Sequence, residues 1–392
     1  HMMQNLFAKH LGLEEHQVRV VTKDVGGSFG IKVHTYADEM AAVALSKLLR
    51  RPIKFVADRI ESFVTDIHAR DHRVKAKIGV KHDGAITAWE IDDLTGIGPY
   101  SVYPRTSGIE ANQVVNLTGG PYTCGNYKAR ARVVFQNKNV MCQYRAVGHP
   151  IATAVTEGLV ELAAARIGMD PLEIRRRNLI PDDAHPSQGP SGIKFEALSN
   201  HEALAHLDAM MNYAGLRAEQ ERLRKQGIYR GIGFASFVEV TNPSAAFYGV
   251  GGARISAQDG ATVRLDSTGA IFCHTGVSEQ GQGAEAVIAQ CVASSFGVPI
   301  ERVRVIMGDT DNTPYGGGTW ASRAAGIGGE AAWQAGKALR QNVLAVAGSI
   351  LQAKPETLDI NNGVVVDKAG GAERIGLDEV ARIATEERAK AR

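Results

Sequence analysis

Four short stretches carry residue types that let backbone or hydrogen-bonding side chains come close to a ligand: DVGGSFGIK (24–32), CQYRAVGHP (142–150), SEQGQG (278–283) and GGGTWASR (316–323). A glycine-rich turn between a strand and a helix aims backbone N–H groups at an anion. The nucleotide patterns do not fit. A P-loop requires G-x-x-x-x-G-K-[ST], whereas Ile31 separates Gly30 from Lys32 and Val33 stands where the metal-holding hydroxyl is needed. The dinucleotide fingerprint G-x-G-x-x-G is also absent. Gln280 and Gln282 each offer a carbonyl acceptor and an amide donor, so SEQGQG can read a polar group as well as approach it. Thr319, Ser322 and Arg323 together suit a phosphate, and Arg145 lies in a loop bounded by glycine and proline. Each stretch alone reads more readily as a turn, a cap or a surface ion pair. Together, drawn from both halves of the chain, they read as loops converging on one large anionic cofactor.

The elements that must position these loops follow from periodicity. ADEMAAVALSKLLR (37–50) has helical spacing and ends on basic residues, which suit a helix C-terminus. Residues 73–92 alternate in period two around Asp83-Gly84, predicting a hairpin. ARVVFQN (131–137) predicts a strand, Ile151–Gly168 a long helix, and 198–227 a charged surface helix. Strand-like runs occupy 230–240 and 262–276, the latter turning at DSTG (266–269). PDDAHPSQGPSG (181–192) is rich in breakers and poor in apolar residues, predicting a linker or exposed loop. An internal similarity joins the two halves: Val18-Arg19-Val20 follows Gly12 at the same offset at which Val303-Arg304-Val305 follows Gly297. The expected fold is α+β, with two related mixed α/β domains over 1–180 and 193–392 and cofactor loops between them.

At 392 residues, the length alone leads to an expectation of two domains, or of three. The net charge of +2, with basic and acidic residues interspersed, does not indicate nucleic acid. No apolar run of about eighteen residues is present, so no transmembrane helix is expected. Cys124, Cys142, Cys273 and Cys291 lack metal-ligand spacing and read as reduced structural thiols, so no metal ligands are assigned. The opening HMM reads as a cloning scar ahead of an internal sequence.

The four motifs in this order, with Glu157 after YRAVGHP and MDPLEIRRRNLI at 169–180, resemble the molybdopterin-binding large subunit of the xanthine dehydrogenase, aldehyde oxidase and carbon monoxide dehydrogenase family. The resemblance implies an oxidoreductase that hydroxylates a carbon centre with water-derived oxygen at a molybdenum-molybdopterin cofactor, either bare or as its cytosine dinucleotide. It further implies an iron–sulfur small subunit and a FAD-binding medium subunit as partners, a dimer of heterotrimers as one arrangement of the complex, a small-molecule substrate, and a cytoplasmic location. By position, Gly27, Ser28, Phe29 and Gly30 match the loop against the molybdenum ligands, and Gln282, flanked by Gly281 and Gly283, matches a glutamine near a terminal ligand. Ala321, Ser322 and Arg323, with Thr319, match the segment cradling the pterin and its phosphate tail. Arg145 matches an arginine that binds or polarises substrate, a role a fixed guanidinium suits.

Departures from the family pattern narrow the expectation. Carbon monoxide oxidisers carry a copper-holding cysteine where this chain has Ala146, and purine oxidisers carry a glutamate where it has Val33. An aldehyde or an N-heteroaromatic compound is left. His34 and His149 sit in or beside the loops and are weighed as substrate contacts, against their ordinary role as satisfied polar residues. The Gly-Glu pair that supplies the family's general base has no match after Gly329-Glu330. The chain is therefore expected to be a central fragment of a longer subunit, truncated at both ends and incomplete at the C-terminus of its second domain. Alone, it is expected not to turn over. A non-catalytic binding or assembly scaffold that keeps the fold is the alternative.

Overall fold

The computed structural model describes residues 1–244 and 257–390, with the side chains of the last helix described through residue 386. Two compact units interleave along the sequence. One holds His1–Ala57, residues 240–244 and the chain after residue 257, and the other holds Asp58–Glu239. Residues 181–192, expected as a linker or exposed loop, lie inside the second unit, where Ser187–Gln188 pairs with Lys194–Phe195 as a short hairpin.

The first unit opens with α1 (Met2–Leu11), which Gly12 ends at φ 62, and α2 (Ala37–Leu49), where Glu39 accepts from the backbone of Tyr36 at 3.1 Å. The second unit begins with α3 (Arg59–Thr65), whose cap is reciprocal: Glu61 N donates to Asp58 Oδ1 and Asp58 N to Glu61 Oε2, both at 2.8 Å. Then come β1 (His72–Val80), β2 (Ile86–Gly96), α4 (Ile109–Leu117), β3 (Tyr127–Val134), α5 (His149–Ile167) and α6 (Pro171–Asn178). The short β4 (Ser187–Gln188) and β5 (Lys194–Phe195) follow, with α7 (Asn200–Met211) and α8 (Tyr213–Arg224). The charged helix expected over 198–227 is thus two helices, broken where Asn212 turns left-handed at φ 48.

The chain returns to the first unit as β6 (Ala261–Leu265), β7 (Ile271–Thr275), α9 (Ala284–Phe296), β8 (Val303–Ile306) and the long α10 (Gly329–Leu351). A small antiparallel sheet of β9 (Leu358–Asn361), β10 (Val364–Asp367) and β11 (Glu373–Gly376) precedes α11 (Leu377–Lys390).

Two expectations are corrected. The strand near 131–137 is Tyr127–Val134, earlier than its apolar run suggests. Residues 230–240 form no strand among the described residues. Two of their carbonyls go to side chains instead: Arg230 O accepts from Gln220 Nε2 at 2.6 Å and Phe234 O from Arg175 Nη2 at 3.0 Å. The alternating apolar residues there cover the second unit's core, as where Phe234 meets Tyr213 edge-on at 5.0 Å.

The structural repeat is larger than the one the sequence suggests. In both units an antiparallel hairpin is followed by a helix and then by a third strand parallel to the second, giving sheets β1-β2-β3 and β6-β7-β8. Both hairpins turn alike. Lys81 N donates to Ala85 O and Gly84 N to Lys81 O, as Asp266 N does to Ala270 O and Gly269 N to Asp266 O. The glycine takes positive φ each time, at 89 and 82. The VRV similarity is real in local form, since Gly12 and Gly297 each end a helix left-handed and precede a single 3-10 turn. Yet both copies lie in the first unit.

After the third strand of each sheet comes a loop and then a long helix, so the loops are placed by α5 and α10. The α4–α5 contact is close: a Cβ on Gly148 would stand 2.5 Å from Glu110 O and 2.7 Å from Gln113 Cβ. Inside α5, a Cβ on Gly158 would meet no atom within 4 Å. Gly148→Ala should therefore destabilise the chain in urea titrations by about 1–3 kcal/mol. Gly158→Ala should stabilise it by roughly 0.5–1 kcal/mol.

Candidate cofactor-binding loops

The sequence candidates divide between the units. The stretches 24–32, 278–283 and 316–323 belong to the first unit, and Arg145, Ala146 and His149 to the second.

In the first unit, Val18–Val20 runs beside residues 308–310. Thr310 N donates to Val20 O at 3.1 Å, Thr22 N donates to Gly308 O at 2.6 Å, and Arg19 pairs with Asp309. This pairing carries the 24–32 loop to the rest of the unit. Ser28 is buried, its Oγ accepting from Lys32 N at 3.3 Å. Phe29 stands left-handed at φ 53 and 55% exposed, its ring so close over Gly27 that a Cβ there would meet Phe29 Cε2 at 2.5 Å. Gly27 and Gly30 both take positive φ, at 94 and 105. His34 is buried.

The loops at 278–283 and 316–323 are joined. Ser278 N donates to Thr319 Oγ1 at 2.8 Å, Thr319 Oγ1 donates to Ser278 O at 2.7 Å, and Gln280 Nε2 donates to Thr319 O at 2.9 Å. Thr319 is thus a fastener between loops. Gln282 Oε1 accepts from Gln280 N at 2.8 Å, while the Gln282 amide NH2 has no hydrogen bond among the described residues. Gly281, Gly283 and Gly318 take positive φ at 92, 83 and 81, and a Cβ added to Gly283 or Gly318 would meet no atom within 4 Å. A groove of about 630 Å³ opens beside Asp24, Val25, Gly281 and Gly283, reaching Ile300 and Arg304.

Two side chains in these loops act differently from what their types suggest. Glu279 accepts from four backbone N–H groups, those of Gln280, Gly281, Gly283 and Glu285, at 3.0, 2.8, 3.1 and 2.9 Å. It fills the anion nest at the start of α9 itself. Burial alone would raise its pKa, but these donors outweigh that and hold it below the ordinary carboxyl range. Arg323 is buried rather than presented as a phosphate clamp. Its Nη2 donates to Gln258 O at 2.7 Å, Asp259 pairs with it at 3.5 Å, and Trp320 stacks 4.9 Å away. Directly after it, residues Ala324–Gly328 form a π turn into α10.

In the second unit Arg145 is exposed, and the next two residues, Ala146 and Val147, are left-handed at φ 67 and 51. Gly148 N donates to Gln113 Oε1 at 2.9 Å, and Arg70 donates to the carbonyls of Arg145 and Val147. His149 is buried, and the contact of its Nδ1 with Ala146 O at 2.7 Å requires the proton on Nδ1. Burial lowers its pKa and keeps the ring neutral. Glu157 serves the interior: Tyr122 Oη donates to it at 2.7 Å and the fully buried Arg175 Nε at 2.9 Å.

Backbone strain singles out the same loops. Ten non-glycine residues take positive φ among the described residues. Arg50, Asn212 and Gln352 end helices, and Asn242 and Asn362 are of the type that tolerates this conformation. The remaining five are Phe29, Ala146, Val147, Ala321 and Ser322, the last two at φ 52 and 55. All five lie in the candidate loops, where such strain points to a functional site. Sequence reasoning missed Glu279, Asp259 and Arg70. An acidic residue just ahead of a helix was a usable signal for Glu279; nothing local marks the other two.

Glu279→Gln keeps the shape but loses the charge on four donors. It should cost about 1–3 kcal/mol at neutral pH. Because the folded pKa is lowered, the wild-type advantage is present above the ordinary carboxyl range and fades as pH falls through the lowered value. Urea titrations of both proteins at several pH values would therefore converge at acid pH.

The molybdopterin cofactor-binding domain family matches the chain twice, over residues 1–179 and 206–392. The nicotine 6-hydroxylase large subunit of Paenarthrobacter nicotinovorans is 32% identical over 97% of this chain and 47% of its own length. The carbon monoxide dehydrogenase large chain of Hydrogenophaga pseudoflava is 28% identical over 92% of this chain and 45% of its own. Among solved structures, quinoline 2-oxidoreductase from Pseudomonas putida 86 superimposes with a TM-score of 0.91 at 32% identity, covering 98% of this chain and 49% of that one. The chain spans about half the length of the relatives it matches. With both of its halves matched, the chain belongs to the molybdopterin cofactor-binding family found in the large subunits of molybdenum hydroxylases.

Proposed function

We propose that this chain holds the molybdopterin of an oxidoreductase that hydroxylates a carbon of an N-heteroaromatic compound or an aldehyde with oxygen from water. The observation that carries the reading is the confinement of otherwise unexplained left-handed residues to the three loops around Phe29, Ala146 and Ala321. The loops suit a large polar group: Gly283 and Gly318 keep clear the space a Cβ would fill, and Gln282 keeps an amide donor uncommitted. When bound, the molybdenum cofactor supplies the oxidation and oxygen-transfer chemistry. The protein's part is positional. Residues 27–30 and 281–283, with the Gln282 amide as donor, would hold the metal end, and backbone from Thr319 to Arg323 with the Ser322 hydroxyl would hold the pterin and its tail. Arg145 binds the substrate heteroatom and stabilises charge that develops there.

The relatives named for nicotine and quinoline favour the N-heteroaromatic substrate over the aldehyde. Ala146 offers no thiol for copper, so carbon monoxide is not proposed. The same reading supplies an iron–sulfur small subunit and a FAD-binding medium subunit as electron acceptors. Four cysteines without a disulfide fit a reducing compartment such as the cytoplasm. Among the described residues, no helix is long and apolar enough to cross a membrane. The isolated chain is proposed not to turn over, because no glutamate in it is assigned as general base.

The full-length protein, produced with its partner subunits, should contain about one molybdenum per large subunit. It should place ¹⁸O from labelled water on a quinoline-type substrate. Absence of molybdenum, or product oxygen that comes from O₂, would overturn the reading. Arg145→Lys should leave the molybdenum content unchanged and lower kcat/KM about 100-fold.

A further inference from the structure

The strained backbone at Ala146 and Val147 is gripped from outside by one side chain. Arg70 stands just ahead of β1, far from this loop in sequence. Its Nε donates to Val147 O at 2.9 Å and its Nη2 donates to Arg145 O. The two acceptors bracket the two left-handed residues, so the guanidinium fork closes a ring over them. The Tyr144 ring lies 5.9 Å from the same guanidinium. A planar fork with fixed donors can span two carbonyls, whereas an ammonium is a single point of charge.

Arg70 is itself backed by buried charge. His72, in the strand that starts just after it, contacts Asp93 Oδ1 through Nδ1 at 3.0 Å and Glu110 Oε1 through Nε2 at 2.9 Å, all three side chains at most 2% exposed. Burial would neutralise the imidazole, but the two carboxylates override it and push its pKa up to about 9. Burial also raises the Glu110 carboxyl, against which the charges of His72 and Arg70 act. Glu110 and Arg70 are thus electrostatically coupled.

We propose that Arg70 is a positioning residue whose fork, closed on the carbonyls of Arg145 and Val147, fixes the loop that presents the Arg145 guanidinium. The consequence for substrate rests on the function proposed above; the clamp itself does not.

Hydrogen exchange on the chain alone, with Arg70→Lys and Arg70→Ala, tests the clamp. The amides of Val147 and His149, which donate to Tyr144 O and Ala146 O, should exchange at least about tenfold faster in Arg70→Ala. They should be partly protected in Arg70→Lys and recover in Arg70→Ala on adding millimolar guanidinium ion, while β1 and β2 amides keep wild-type rates. Unchanged loop exchange would overturn the proposal. Equal acceleration across β1 and β2 would also overturn it, because Arg70 would then merely support the unit. If Arg70→Ala does not fold, Arg70→Lys decides, since it keeps the charge and loses only the fork. In the molybdenum-loaded full-length enzyme, Arg70→Lys should lower kcat about tenfold at unchanged molybdenum content. A parent enzyme without molybdenum would sink the proposed function and leave the exchange result standing.

Discussion

The constraint on which the loops depend is a backbone held where side-chain-bearing residues rarely go. Two consecutive left-handed residues precede each long helix, Ala146-Val147 ahead of α5 and Ala321-Ser322 ahead of the π turn into α10. Each costs about 1–2 kcal/mol against an ordinary conformation, and more for a β-branched residue such as Val147. Local sequence cannot supply that, so distant polar groups do. In the second unit the work falls to Arg70 and Gln113. In the first, Thr319 is bonded from two sides, and Arg323 is drawn inward by Gln258 and Asp259. Asp259 is in turn fitted against glycines, since a Cβ on Gly276 or Gly316 would come within 2.3 Å of its Oδ1.

Close helix packing transmits this constraint to the core. A Cβ on Gly328 would meet Val277 Cγ1 at 2.6 Å, and one on Gly336 would meet Ser295 Oγ at 2.1 Å. The small residues around the start of α10 thus let the chain lie directly on α9 and against Val277, and Ile271, Cys273, Ile288 and Val292 belong to the first unit's core. The segment is glycine- and alanine-rich for that reason, in addition to any ligand it serves.

The sequence made the elements legible where a period was unbroken and a turn had its own chemistry. The hairpins at Asp83-Gly84 and Asp266–Gly269 are such cases, because Asp side chains accept from nearby backbone and glycine supplies the positive φ. Residues 230–240 alternate like a strand but are covered by side-chain donors, a tertiary outcome that periodicity cannot express. The interleaving of residues 1–57 with the chain after 257 was likewise invisible, because it arises from pairing between Val20 and Thr310 rather than from any linker. The glycines of the loops were legible; the left-handed Phe29, Val147 and Ser322 were not, since nothing in their type announces that conformation. Arg145 and Arg323 looked alike as loop arginines. Gln258 O, the buried carboxylate of Asp259 and the Trp320 ring hold the Arg323 guanidinium inside, while Arg145 is exposed.

The same distinction between a loop's type and its actual partners decides which end of a ligand the SEQGQG loop can face. Four of the N–H groups that would make it an anion site are already taken by Glu279, which is held ionised by them. Glu285 and Asp24 line the adjoining groove, with Arg304 the basic residue there. A phosphate would meet a filled nest and like charge. A neutral or weakly polar group would instead meet the glycine backbone at Gly281 and Gly283 and the Gln282 amide. The first unit's other strained, glycine-lined backbone is that of residues 27–30 and 316–322. The Glu279 charge thus makes the SEQGQG loop a poor seat for an anion and a suitable one for a neutral polar group.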